Sequence, residues 1–184
     1  MKIQSDSKLF YITDLKVLLR NRGRQGMRRS DREVKSKEEM IEIMRKCDVC
    51  RIALNDEGFP YIVPLNFGLL VEEDEVQLYF HGAKIGTKMD LIKKDPRASF
   101  EMDCEHRLIE GDLGCKYSMA FESVIGTGKI EIVEGEEKIS ALHYIMKQYT
   151  DKSFTFDQRH TNIIEVFKLR VESMTGKRLK TKTT

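Results

Sequence analysis

The sequence predicts a mainly β, α+β fold: a six-stranded antiparallel split β-barrel with peripheral helices. Three observations lead there. Runs rich in β-branched and aromatic residues follow one another across tight turn signals, DEG (56–58) and EEDE (72–75), and strands joined this tightly pair antiparallel. Strand and helix patterns do not alternate regularly, and no Gly-rich fingerprint follows the first strand, which disfavours a doubly wound nucleotide fold. The 184 residues, 40% apolar and 34% charged, suit one ordinary domain with its own core.

Taken in order, Ser36 and Glu39 fit a capping box. They open a helix over KEEMIEIMRKC (37–47), with Met40, Ile41, Ile43, Met44 and Cys47 at near-helical spacing. VCRIALN (49–55) reads as the first strand and YIVPLNFGLL (61–70) as a long second one. Pro64 within it cannot donate to a ladder, so this strand lies at an edge or carries a bulge. VQLYFH (76–81) is a third strand ending on His81, and GTKMDLIKKD (86–95) a short helix that stops before Pro96. RASFEMD (97–103) is the fourth strand. MAFESVIGTGKIEIV (119–133) is the fifth, bent or bulged at Gly126 and Gly128. EEKISALHYIMKQYT (136–150) is an amphipathic helix. IIEVFKLRVESM (163–174) is the last strand, with Ile163, Glu165, Phe167, Leu169 and Val171 alternating against Ile164, Val166, Lys168 and Arg170.

The charge is uneven. The whole chain carries +2, but residues 1–26 carry +4 and residues 177–184 another +4, which leaves −6 for residues 27–176. An acidic body is poorly suited to nucleic acid, so no nucleic-acid partner is expected. Residues 1–26, ending in the Arg- and Gly-rich LLRNRGRQG, read as a basic N-terminal extension with a short peripheral helix over FYITDLKVLL. Residues 27–178 read as the folded domain and 179–184 as a basic tail. No apolar run approaches the roughly 20 residues that span a bilayer, and no secretory h-region is present. A cytoplasmic protein without a membrane partner is expected.

Cys47 and Cys50 form a CxxC, but a zinc site needs a second close pair, and Cys104 and Cys115 do not supply one. The four thiols read as reduced, and no metal is expected. His143 falls among packing residues of the last helix, and His106 and His160 fall in polar loops.

Residues 79–88, YFHGAKIGTK, concentrate the chemistry. A helix that follows a strand offers unpaired N–H groups and the positive end of its dipole to an anion. Lys84 and Lys88 share one face there, Thr87 adds a hydroxyl, and Gly82 and Gly86 let a ligand approach the backbone. A phosphate fits such donors; a solvated lysine face is the other reading. In IVPLNFG (62–68), Asn66 can both donate and accept beside a strand whose proline removes an N–H, a setting in which backbone groups and one amide can read a flat heterocycle.

Together YIVPLN (61–66) and LYFHGAKIGTKMDLIKKDP (78–96) resemble the flavin-binding split-barrel family that includes pyridoxamine-5′-phosphate oxidase. There a strand of the form RxVLLK precedes FYTNYxSRK…L…NP. Lys88 stands where the family's phosphate-binding lysine stands before its NP. The family's arginine and serine before that lysine are Thr87 and Gly86 here, and no arginine opens the first element, so vitamin B6 oxidase activity does not follow. The stretch from VCRIAL through PYIVPLNFG, LYFHGAKIGTK and ESVIGTGKIE to VFKLRVESMTGKR is similar to the Nim-type 5-nitroimidazole-resistance branch. The resemblance implies a homodimer with a flavin between subunits, FMN first and FAD second, and an oxidoreductase acting on small electron-poor substrates. It implies cofactor contacts at Ile62, Val63, Pro64, Leu65, Asn66, Phe80, His81, Gly82, Lys84, Thr87, Lys88 and Ser123, with His81 as the catalytic proton donor. A non-enzymatic flavin- or haem-binding carrier or redox sensor is the alternative.

Overall fold

The structure, a computed structural model, describes residues 27–180. The chain divides into two units, Met1–Asp31 and Arg32–Thr184; only residues 27–31 of the first are described, and the peripheral helix expected over FYITDLKVLL lies outside them. The second unit is built on one antiparallel sheet. Its strands are β1 (Glu33–Val34), β2 (Cys50–Leu54), β3 (Tyr61–Leu65), β4 (Gly68–Glu72), β5 (Glu75–Ala83), β6 (Arg97–Ile109), β7 (Ser118–Val133) and β8 (Ile164–Leu179). Helices α1 (Lys37–Lys46), α2 (Thr87–Lys94), α3 (Gly135–Tyr149) and α4 (Gln158–Asn162) lie between them. The hydrogen-bonded order is β3-β2-β6-β7-β8-β5-β4, with β1 added to β8.

The class is the expected one, but the sheet has eight strands where the sequence predicts six. The short β1 adds one. The other comes from the run 61–70, which breaks at Asn66–Phe67, so that β3 and β4 occupy opposite ends of the path. The chain crosses between the two sheet edges at this corner without a ladder, which is what splits the barrel. Burial drives the break. Phe67 is fully buried, its N–H donates to the Tyr149 hydroxyl at 3.0 Å, and that hydroxyl donates to the Asp48 carbonyl at 2.8 Å. Gly68 follows because a Cβ there would overlap the backbone of Tyr144 and Ile145 in α3. Pro64 lies on edge strand β3, where its missing N–H leaves no ladder bond unmade.

The main core lies between α1 and the inner sheet face, with Met44, Ile52, Phe67, Phe80, Phe100, Met102 and Phe167 among its buried side chains. A second cluster, Tyr79, Val133, Ala141, Leu142, Ile145 and Val166, sits under α3. The capping box forms by half: Ser36 accepts from the Glu39 N–H, but the Glu39 carboxylate accepts from Arg178 at 2.8 Å. The bulge expected in the fifth strand falls between Thr127 and Gly128. Strands β6 and β7 run further than the pattern suggests and place His106 in a strand, within a second irregularity between Cys104 and Arg107.

Glu122 on β7 is almost fully buried and sits between Lys46 of α1, at 2.7 Å, and Arg178 of β8, at 2.6 Å. Burial alone would raise its pKa, but the two cations together hold it below the ordinary value. A depressed carboxylate contributes stability above its unfolded pKa, about 4.3, and that contribution is lost as pH falls through the folded value. Glu122→Gln should therefore destabilise the fold by about 2 kcal/mol at neutral pH, discounted because Lys46 is half-exposed. Urea unfolding should show this difference shrinking below about pH 4; a pH-independent difference would mean that the amide disturbs packing instead.

Candidate functional site

The β5–α2 junction carries most of the expected site. Strand β5 continues two residues past His81, to Ala83, because β8 pairs with it along this stretch: His81 faces Val166, Gly82 faces Glu165 and Ala83 faces Ile164. The chain then turns, and α2 opens at Thr87 with Gly86 as N-cap and no side-chain cap bond. The first α2 N–H groups are thus left for a ligand or water.

Lys88, in the first turn of α2, folds back over β5. Its Nζ lies 5.2 Å from the centroid of the Phe167 ring, a cation–π contact. On its other side that ring stacks on Phe80, at 5.3 Å and 21°. Gly82 makes room for the head group: a Cβ at this position would stand 2.6 Å from Nζ. Lys88 is half-buried and has no hydrogen bond or ion pair among the described residues. Burial accordingly lowers its pKa. Other shielded cations are matched: Lys168 by Glu137 at 2.7 Å, Lys138 by Glu165 at 3.8 Å and Arg178 by Glu122. An unmatched, partly desolvated ammonium beside open helix N–H groups has the chemistry to hold an anion. Thr87 and Lys84 stand exposed at its rim. The donor set fits a phosphate.

His81 projects from the opposite face of β5, on its exposed side. Partial desolvation lowers its pKa, and the Lys88 charge lowers it further. The resting imidazole is therefore neutral at physiological pH. It can donate or accept a hydrogen bond there, and an anion at Lys88 would remove the second of the two causes that disfavour its protonated form.

The other expected residues divide by face. Ile62 and Pro64 are exposed on the outer side of β3, whereas Val63 and Leu65 turn in and pack against the core. Asn66 donates to the Asp48 carbonyl at 3.3 Å and helps hold the corner. Phe80 is corrected: its side chain is fully buried against Phe167, so only its backbone could meet a cofactor. Ser123 lies mid-sheet between Asp103 and Lys177. The β7 residue in the His81 row is Val133, through Val166, about 33 Å of strand away from Ser123 at 3.3 Å per residue. Lys84, Thr87, Lys88, Gly82 and His81 gather at one junction. Ile62, Pro64 and Ser123 share a different region, the outer face on which Pro64, Arg51, Glu101 and Ile125 align in one row.

Sequence reasoning missed Phe167, although the alternation of the last strand had placed it on the apolar face. It also missed the outer-face cluster in which Arg51 donates to Asp103 at 2.6 Å and His106 Nε2 lies 2.9 Å from Asp103. Alternation marks the face of Phe167 but not its partners, and nothing local marks the outer-face cluster, since both sets of contacts depend on strand register.

Residues 36–178 match the pyridoxamine 5′-phosphate oxidase family. The chain belongs to that family. It is similar to a candidate 5-nitroimidazole antibiotic resistance protein of Bacteroides thetaiotaomicron, with 34% identity, a TM-score of 0.69, and coverage of 79% of this chain and 85% of that one. The FAD- and haem-binding protein of Mycobacterium smegmatis shares the fold at 14% identity and a TM-score of 0.71, over 82% and 74% of the two chains. A flavocytochrome of Azotobacter vinelandii shares it at 15% identity and 0.70, over 84% and 72%. No curated protein is similar enough to count as a match.

Gly82→Ala tests the seat of Lys88. The new methyl group meets the far end of a flexible side chain, so the fold should survive while Nζ is driven off Phe167 into water. The Lys88 pKa, followed by NMR of its ε-methylene, should return towards the ordinary lysine value with little change in the thermal midpoint. An unchanged pKa would show that Gly82 does not set the position of the ammonium.

Proposed function

We propose that the protein binds FMN and uses it to reduce small electron-poor compounds of the 5-nitroimidazole kind. Lys88 carries this reading: a half-buried ammonium without a protein partner among the described residues, at an uncapped helix start. Lys88, Thr87 and Lys84 would hold the phosphate, and the backbone and outer side chains of β3 at Ile62 and Pro64 would flank the ring. Bound FMN would supply the redox chemistry. The 34% identity to the Bacteroides protein supports the substrate class, and the flavin named in the fold relatives supports the cofactor. The donors gathered at Lys88, Thr87 and Lys84 match a single terminal phosphate, so FMN is preferred to FAD.

The same reading includes a homodimer. Ser123 lies far along the sheet from Lys88 in its own chain, and the outer face beside it exposes Ile62 and Ile125, 63% and 53% accessible. A second copy packed on that face would cover the apolar side chains and bring its own Ser123 to the cofactor.

His81 would serve the substrate. Phosphate bound at Lys88 offsets the charge that holds the imidazole neutral, so FMN binding should raise the His81 pKa and ready it to pass a proton to a reduced nitro group.

Two substitutions test this. Lys88→Ala should weaken FMN by roughly 1.5–3 kcal/mol, the scale of a hydrogen bond to a charged group, or about one to two decades in affinity. Riboflavin, lacking the phosphate, should bind nearly as before. Equal losses for both ligands in a fluorescence titration would assign Lys88 to the fold rather than to phosphate. His81→Ala should keep the flavin and slow anaerobic nitroimidazole turnover by roughly 10²–10⁴-fold, with dithionite reduction of the flavin unchanged. Full turnover in that variant would remove the proton-donor role, and flavin binding without turnover in the wild type would favour a carrier.

A further inference from the structure

The CxxC of the sequence leads to a different pair. Cys47 is the C-cap of α1 and is 1% exposed; Cys50 opens β2 and is fully buried. The partner that Cys47 meets is Cys104 of β6. Both thiols point at one carbonyl, that of Ile43, with Cys47 Sγ at 3.2 Å and Cys104 Sγ at 3.9 Å. Each thiol also stands close enough to shift the pKa of the other.

The helix end explains the convergence. The Cys47 N–H turns back to Met44 rather than to Ile43, which leaves the Ile43 carbonyl to the sulfurs. Gln148 of α3 donates to the carbonyls of Met44, Arg45 and Cys47 and so pins the end of α1 over the sheet. Cys104 is the more accessible of the two. It pairs across β6–β7 with Glu122, and the Lys46 ammonium that binds Glu122 stands beside it.

We infer that Cys47 and Cys104 are a redox couple that closes into a reversible disulfide when the protein meets a hydroperoxide. Cys104, the more accessible member, reacts first. Its sulfur attacks one oxygen of hydrogen peroxide, the O–O bond breaks, and water leaves with the thiol proton, giving a sulfenic acid. Cys47 Sγ then attacks that sulfur, the S–S bond forms, the S–O bond breaks, and hydroxide leaves with the Cys47 proton as a second water. The two thiols lose two electrons in all and the peroxide gains two. Burial raises the pKa of both thiols, with Lys46 opposing it at Cys104. The couple therefore reacts more slowly than a catalytic thiolate and responds to sustained oxidation. Closure ties the end of α1 to β6 over a long loop, so the oxidised chain resists unfolding more than the reduced one.

The test treats the reduced full-length protein with hydrogen peroxide, blocks the remaining thiols with iodoacetamide, and maps tryptic peptides without reduction. The expected product is residues 47–51 joined to residues 98–107 within one chain, at a mass about 2 Da below the sum of the two peptides. Dithiothreitol should reverse it. The product should persist in Cys50→Ala and vanish in Cys47→Ala, where Cys104 should instead proceed to sulfinic acid. The inference fails if wild-type Cys104 reaches sulfinic acid without a cross-link. It also fails if the bond joins Cys47 to Cys50, or if oxidation links only separate chains through the exposed Cys115. Residues 47–51 hold both Cys47 and Cys50, so fragmentation of the linked wild-type peptides must place the iodoacetamide label on Cys50; a label on Cys47 would overturn the inference, and a poorly folding variant does not remove the test.

Discussion

Strand β8 organises this protein, because three ladders meet on it. Its sixteen residues pair with β7 along most of their length, with β5 over the first half and with β1 near the far end. The near half sets Phe167 beside Phe80 and Val166 beside His81, and so builds both the floor under Lys88 and the row that carries the imidazole. The far half places Arg178 against Glu122 and Glu39, which ties α1 to the sheet. A slip of one residue in the β5–β8 register would turn Phe167 outwards and leave Lys88 without a surface to rest on.

Charge matching separates scaffold from site. In the scaffold, shielded cations are neutralised by carboxylates on neighbouring elements, as at Lys168–Glu137 and Glu122–Arg178. At the β5–α2 junction the protein instead holds an ammonium over an aromatic ring with its pKa lowered by burial. A cation–π contact contributes only about 0.5–2 kcal/mol, less than full hydration of an ammonium provides, so the arrangement is stabilised further by an incoming anion. The coupling reaches His81, whose neutrality depends in part on the same charge. The proposed anion at Lys88 would thereby raise the proton affinity of His81 across β5.

Local pattern was informative where local forces decide. The helix at 87–94 begins after Gly86 and ends before Pro96, as backbone sterics require. Pro64 had to stand at an edge, and the Gly126–Gly128 stretch had to bulge. The gathering of Lys84, Thr87 and Lys88 at a strand-to-helix turn was legible because all three fall within five residues. The errors fall where distant segments compete for the same residues. The run 61–70 reads as one strand because its apolar pattern is unbroken, but Phe67 is drawn into a pocket that Tyr149 closes from far along the chain. The resemblance implies a cofactor contact at Phe80, but β8 brings Phe167 against its side chain.

The sequence by itself determined the antiparallel class, the position and ends of the central helices, and the chemical character of residues 79–88, since these follow from side-chain periodicity, proline and glycine sterics, and the clustering of donors within one turn. Only the tertiary structure decided that Lys88 rests unmatched on Phe167, that Ser123 and His81 lie far apart along one chain, and that Cys47 faces Cys104 rather than its neighbour in the CxxC. Each of these is set by contacts between residues some thirty or more positions apart. Such contacts are chosen by strand register and by competition for buried space, which no short window of sequence contains.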